Sequence, residues 1–114
     1  MKNKVNILGT EYKVEFRSIE KDANLKNCDG YTDVSVNLIV CLDKKREDGD
    51  IVNIKSNQHR VLRHEIIHAF MHESGLWFNS GSVENWAVNE EMTDWIAIQF
   101  PKIYKVFKEL DILE

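Results

Sequence analysis

A chain of 114 residues with 43% hydrophobic and 30% charged side chains has the make-up of one ordinary globular domain, spanning 1–114 without a linker or repeat. Its formal net charge of −4 gives no electrostatic footprint for nucleic acid or for an anionic membrane surface. No apolar run approaches the length needed to cross a bilayer, and the N-terminus lacks the apolar stretch and cleavage site of a signal peptide, so a cytoplasmic protein is expected.

The first third reads as strand. Val5–Leu8 and Tyr12–Phe16 flank a turn at Gly9-Thr10, with Tyr12, Val14 and Phe16 on one face. Ser18–Cys28 is polar and fits either a loop or a short helical turn. After the Asp29-Gly30 turn signal, Tyr31–Leu42 alternates apolar and polar residues like one long strand. Asp43–Asp50 is a charged, solvated connection, and Ile51–Ile54 is a short strand.

The second half changes period. A helix is predicted from Ser56 or Asn57 to about Ser74, stopped by Gly75, with Leu62, Ile66, Ala69 and Phe70 facing the core. Leu76–Gly81 reads as a loop. A second helix is predicted from the N-cap Ser82 to Phe100, ended by Pro101. Pro101 then opens a third helix through Leu110, with Ile103, Val106, Phe107 and Leu110 on its buried side. Strands first and helices after argue α+β: a small antiparallel sheet of three or four strands packed on two helices.

The first helix carries His64-Glu65-Ile66-Ile67-His68. Two histidines four apart lie on one face about one turn apart, and can aim a nitrogen each at a tetrahedral Zn2+. Glu65, next to the first ligand, is then placed as the catalytic general base, accepting a proton from water that the metal acidifies. A third protein ligand leaves one position open. Glu90 and Asp94, again four apart, suit that need. Glu90 is read as the metal ligand, and Asp94 as the acceptor for a ligating histidine's other N–H, which fixes its tautomer. Glu91 points about 100° away and becomes the ligand only if the helix is misread by one residue.

This pattern, HExxH followed by Asn89-Glu90-x-x-x-Asp94, resembles that of the gluzincin metallopeptidases, and the 22-residue step from His68 to Glu90 is close to that of thermolysin-like enzymes. Glu90–Ala97 also resembles the acidic helix of ImmA/IrrE-type metallopeptidases. The chain as a whole is similar to short metallopeptidase-like proteins of Firmicute prophages and mobile elements. The resemblance implies a minimal zincin-like domain and a zinc-dependent peptidase, acting on a peptide or protein such as a repressor. The alternative is a degenerate zinc-binding regulatory protein of a mobile element. No helix-turn-helix or sensor segment of the kind some relatives carry is expected from these 114 residues, so the repressor link is analogy.

Other metal readings fare worse. His72, four beyond His68, rotates away from a shared point and reads as a polar surface residue. A metzincin needs Gly and His where this chain has Met71 and Ser74. A deformylase pairs HExxH with a Gly-Cys-Leu segment, whereas Val40 precedes Cys41. Cys41 then reads as a small buried hydrophobe, and Cys28 and Cys41 as free thiols in a reducing compartment, although one disulfide also satisfies the count. His59, Arg60, Tyr31 and Tyr104 are candidate oxyanion donors that the sequence does not rank. Val34–Cys41 and Ile51–Ile54 are the candidate sheet edges for a bound peptide.

Overall fold

The computed structural model describes residues 3–80 and 86–114. The chain is α+β, with strands β1 (Lys4–Ile7), β2 (Thr10–Arg17), β3 (Gly30–Asp33) and β4 (Leu38–Leu42), then helices α1 (Ile54–Glu73), α2 (Leu76–Asn79) and α3 (Glu90–Glu109). The sheet order is β1-β2-β4-β3. It is mixed and not purely antiparallel: β1–β2 and β3–β4 run antiparallel, while β2 pairs with β4 in parallel, Val14 opposite Ile39.

The β1–β2 hairpin turns on Leu8 and Gly9, both at positive φ (52° and 97°), one residue earlier than predicted. Two positive φ values match the right-handed twist of the flanking strands. The predicted long strand 31–42 is broken into β3 and β4. Asp33 accepts hydrogen bonds from the Ser35 amide (3.0 Å) and hydroxyl (2.5 Å), and Asn37 sits at φ 53°, so local side-chain bonding wins over apolar alternation. Ser18–Cys28 contains a 3-10 turn at Ala23–Lys26, capped by Asp22. Buried Asp22 also accepts from Arg17 (2.9 Å) and from the Tyr31 hydroxyl (2.5 Å), which ties the end of β2 to β3.

Ile51–Ile54 is not a strand. Ile51 and Val52 are exposed, and the Asn53 side chain accepts from the Ser56 amide at 3.0 Å, so α1 begins at Ile54, earlier than the predicted Ser56 or Asn57 cap. Gly75 follows the helix at φ 84°, the left-handed stop expected of it. Leu62, Ile66 and Ala69 of α1 pack on Ile7, Tyr12, Val14 and Ile39 of the sheet to form the core. Phe70, predicted to join them, is 42% exposed. The core face continues at Glu73 instead, whose carboxylate accepts from Thr10 Oγ1 (2.5 Å) and from the buried Tyr12 hydroxyl (2.9 Å).

The predicted N-cap Ser82 lies outside the described residues. Trp86–Val88 form a 3-10 turn, and α3 begins at Glu90 with Asn89 as its cap, accepting from the Met92 amide at 2.8 Å. Pro101 does not end the helix. Its missing N–H would leave the carbonyl of Ala97 without a partner, and Ala97 is fully buried. Arg63 of α1 supplies that partner, its Nε donating to the Ala97 oxygen at 2.7 Å. One helix therefore replaces the two predicted. Its C-terminal half runs beyond the core, and Val106, Phe107 and Leu110, predicted to be buried, are 43–64% exposed.

The Tyr12–Glu73 bond makes stability pH-dependent. Burial, with the neighbouring carboxylate, raises the Tyr12 phenol to about 12, whereas an unfolded tyrosine ionises near 10. The folded state therefore keeps a proton that the unfolded chain loses, and this contribution is complete below pH ~10 and lost as pH rises through about 12. Tyr12→Phe should cost about 1–2 kcal/mol at neutral pH, and denaturant melts should show the gap to wild type narrowing in the alkaline range. A gap that stays constant would contradict the assignment.

Candidate metal centre

Helix α1 presents three faces. Leu62, Ile66 and Ala69 meet the sheet, Arg60, Arg63 and His64 meet α3, and Val61, Glu65 and His68 sit between. The middle face comes close to the strands because residue 30 is glycine. A Cβ there would lie 2.8 Å from the Val40 carbonyl oxygen and 2.8 Å from Val61 Cγ1, so any other residue would force the β4 backbone and Val61 to give way.

His64, His68 and Glu90 converge, and among the described residues they are the group of side chains able to hold a metal ion. The two histidine Nε2 atoms are 3.0 Å apart. A Glu90 oxygen stands 2.8 Å from His64 Nε2 and 3.3 Å from His68 Nε2. Ligands about 2.0–2.1 Å from a tetrahedral centre lie about 3.3 Å from one another, so the donor set has nearly the size of one coordination shell. Its chemistry fits as well. His64 Nδ1 faces Asp94 Oδ1 at 3.2 Å, which puts the ring proton on Nδ1 and leaves the Nε2 lone pair turned to the convergence point. A lone pair facing a carboxylate is favourable only with a cation or a proton between them.

Behind this set, Arg60 donates to Asp94 Oδ1 at 2.5 Å and to Asn57 Oδ1 at 3.0 Å. Glu91 is turned away, beside Trp86 and Trp95. His72 also leaves the group, stacking edge-on against Trp77 with centroids 5.4 Å apart. Cys41 is buried in β4 with its thiol pushed up to about 12 by desolvation, and it stands apart from the converging group of His64, His68 and Glu90. Both cysteines are free.

Glu65 is buried beside the histidines. The Thr32 hydroxyl of β3 lies 2.9 Å from Glu65 Oε1 and 2.9 Å from the Glu65 carbonyl oxygen, while Oε2 lies 3.9 Å from His64 Nε2. Burial pushes the Glu65 carboxyl above its ordinary range, against the opposing pull of the Thr32 bond and the two histidines. Thr32 was missed at the level of sequence, because it reads there as one polar position of an alternating strand.

A cleft of about 390 Å³ opens on one side of the group, walled by Tyr31, Thr32, Glu65, His68, Trp77 and Val88. A smaller recess of about 200 Å³ opens on the other, between Asp29, Arg60, His64 and Asp94. Of the four candidate oxyanion donors, Tyr31 and Arg60 line these spaces. Tyr31 is bonded to Asp22 and Arg60 to Asp94. Tyr104 is stacked on Phe100 in the outer half of α3, and His59 is exposed. The edge strand beside the group is β3. Neither expected edge holds, since β4 is internal and residues 51–54 form no strand. No helix among the described residues is long and apolar enough to cross a membrane.

Comparison with family models, with curated proteins and with solved structures finds no match for this chain.

The two acidic neighbours at the start of α3 separate cleanly by experiment. Asp94→Ala should weaken binding of a divalent metal about 10–100-fold, because His64 loses the partner that orients it. Glu91→Ala should leave binding unchanged. Competition titration with a chromophoric chelator measures both, and equal losses would refute the assignment.

Proposed function

We propose that this chain is a zinc-dependent peptidase, with His64, His68 and Glu90 as metal ligands and Glu65 as general base. The observation that carries the proposal is Glu65. A site that used metal for stability alone would close its shell with a fourth protein ligand and would have no use for a general base. Here a buried carboxylate lies beside the three converging ligands, one oxygen held by Thr32 and the other, 3.9 Å from His64 Nε2, left toward the site.

Zinc bound at these ligands supplies Lewis acidity toward a carbonyl oxygen and makes water more acidic. The protein does the rest. Asp94, itself held by Arg60, keeps the His64 proton on Nδ1 and its Nε2 free to ligate. Thr32 fixes Glu65 Oε1 so that Oε2 can take a proton from the attacking water and pass it to the leaving amine. Strand β3 is paired on one side by β4 and stands at the sheet edge. An extended peptide could add to its outer side through main-chain bonds and bring a peptide bond level with Thr32 and Glu65. The Tyr31–Trp77–Val88 cleft would then receive an apolar side chain of that peptide.

Purified protein should contain about one zinc per chain. Glu65→Gln should keep the metal and lower peptide cleavage by 10²-fold or more, the order of a lost general base. Thr32→Val should also keep the metal and lower kcat about tenfold with little change in KM, since it unties the base but not the substrate. Cleavage by Glu65→Gln at the wild-type rate would end the proposal.

A further inference from the structure

Glu90 is the ligand that packing holds least. Its side chain is 74% exposed and it is the first residue of α3, so its carboxylate reaches the histidines only if α3 lies at the right height along α1. The buried residues of α3 are Thr93 and Ala97, two small side chains that interlock little, and apolar contact has no direction of its own. A slip of one residue moves a helix about 1.5 Å along its axis and turns it about 100°. That would take the Glu90 oxygens off their 2.8 Å and 3.3 Å separations from the histidines.

Two arginines of α1 carry directional bonds to α3. Arg60 ends on the Asp94 carboxylate, which can follow it by rotation. Arg63 ends on the main chain, at the Ala97 carbonyl oxygen, 2.7 Å from its Nε. That carbonyl is free to accept because Pro101, four residues on, has no N–H, whereas in an uninterrupted helix the amide four residues on takes it. Ala97 follows Glu90 by seven residues, about two turns, and so shares its face. Arg63 directly precedes His64.

We infer that Arg63 is a positioning residue for the metal centre: its bond to the carbonyl that Pro101 leaves free pins the axial register of α3, and so delivers Glu90 to His64 and His68. This rests on the reading of these residues as metal ligands. The proline inside α3 is then a device and not a tolerated defect, since it creates one main-chain acceptor at one height on the helix.

The test separates pinning from mere satisfaction of a buried carbonyl. Arg63→Gln places an amide nitrogen where Nε stood, and Arg63→Met places a methyl group there, with the charge removed in both. Combining Arg63→Met with Pro101→Ala gives the Ala97 carbonyl an ordinary helical donor, so the chain folds with no buried group left unpaired and no pin. Zinc affinity is read by competition with a chromophoric chelator, coordination by the visible spectrum of the Co2+ form, and stability by melting of the metal-free proteins.

Arg63→Gln should bind zinc within about threefold of wild type. The Arg63→Met/Pro101→Ala protein should melt no lower than wild type yet bind zinc about 10–100-fold more weakly, at the level of Glu90→Ala, with a changed Co2+ spectrum. Adding Glu90→Ala to it should cause no further loss. Wild-type affinity in the Arg63→Met/Pro101→Ala protein, or full additivity with Glu90→Ala, or a loss in Arg63→Gln as large, would overturn the inference while leaving the metal centre standing. A wild-type protein that binds no zinc would instead remove the metal reading, and the inference with it.

Discussion

The close approach of α1 to the sheet at Gly30 is the constraint on which the rest depends. With no side chain at residue 30, Val61 and Glu65 come close to β3 at Gly30, and Thr32 comes within hydrogen-bonding distance of Glu65 at two atoms. A helix that buries a glutamate and a histidine on its inner side would be costly if those groups had nothing to bond to. Here the glutamate has Thr32, and the histidine faces its own kind and a carboxylate. The same helix is tied down at its far end by Glu73, which takes hydrogen bonds from two residues of β2. The sheet therefore fixes α1 at both ends of the segment that carries the ligands.

Helix α3 is held differently. It packs chiefly on α1, and its inner residues are small, so polar bonds decide where it stands. Arg60 and Arg63 both lie just ahead of His64 in sequence and both reach α3, one on a side chain and one on the main chain. This explains how a 20-residue helix with a proline at its centre stays continuous. It also places the acidic end, and not the apolar end, beside the site. Beyond Pro101 the helix loses contact with the core, and its aromatic residues are left half-exposed.

Much of the site was legible because helical geometry is local. Once a helix over residues 64–68 is granted, the two histidines must share a face, whatever lies around them. The Glu90–Asp94 spacing carries the same kind of information, and both pairs meet where the helix period puts them. Errors fell where side chains compete with the period. Asp33, Ser35 and Asn37 turn the chain inside a run that alternates like a strand. Asn53 captures the helix start three residues ahead of Ser56, the earlier of the two expected caps. Pro101 was read by its intrinsic effect, which is to stop a helix, because the donor that rescues it lies 38 residues earlier in the chain, at Arg63.

The α+β order, the helix carrying His64, Glu65 and His68, and the face carrying Glu90 and Asp94 are all written into the residues themselves. All of these follow from residue type and spacing within a few turns. The parallel pairing of β2 and β4, the place of β3 as the edge beside the histidines, the Thr32–Glu65 bond and the Arg63–Ala97 bond emerge only once the chain is folded. Each of those is a contact between residues distant in sequence. Its partner is selected by which backbone approaches closely enough, and a local pattern holds no record of that.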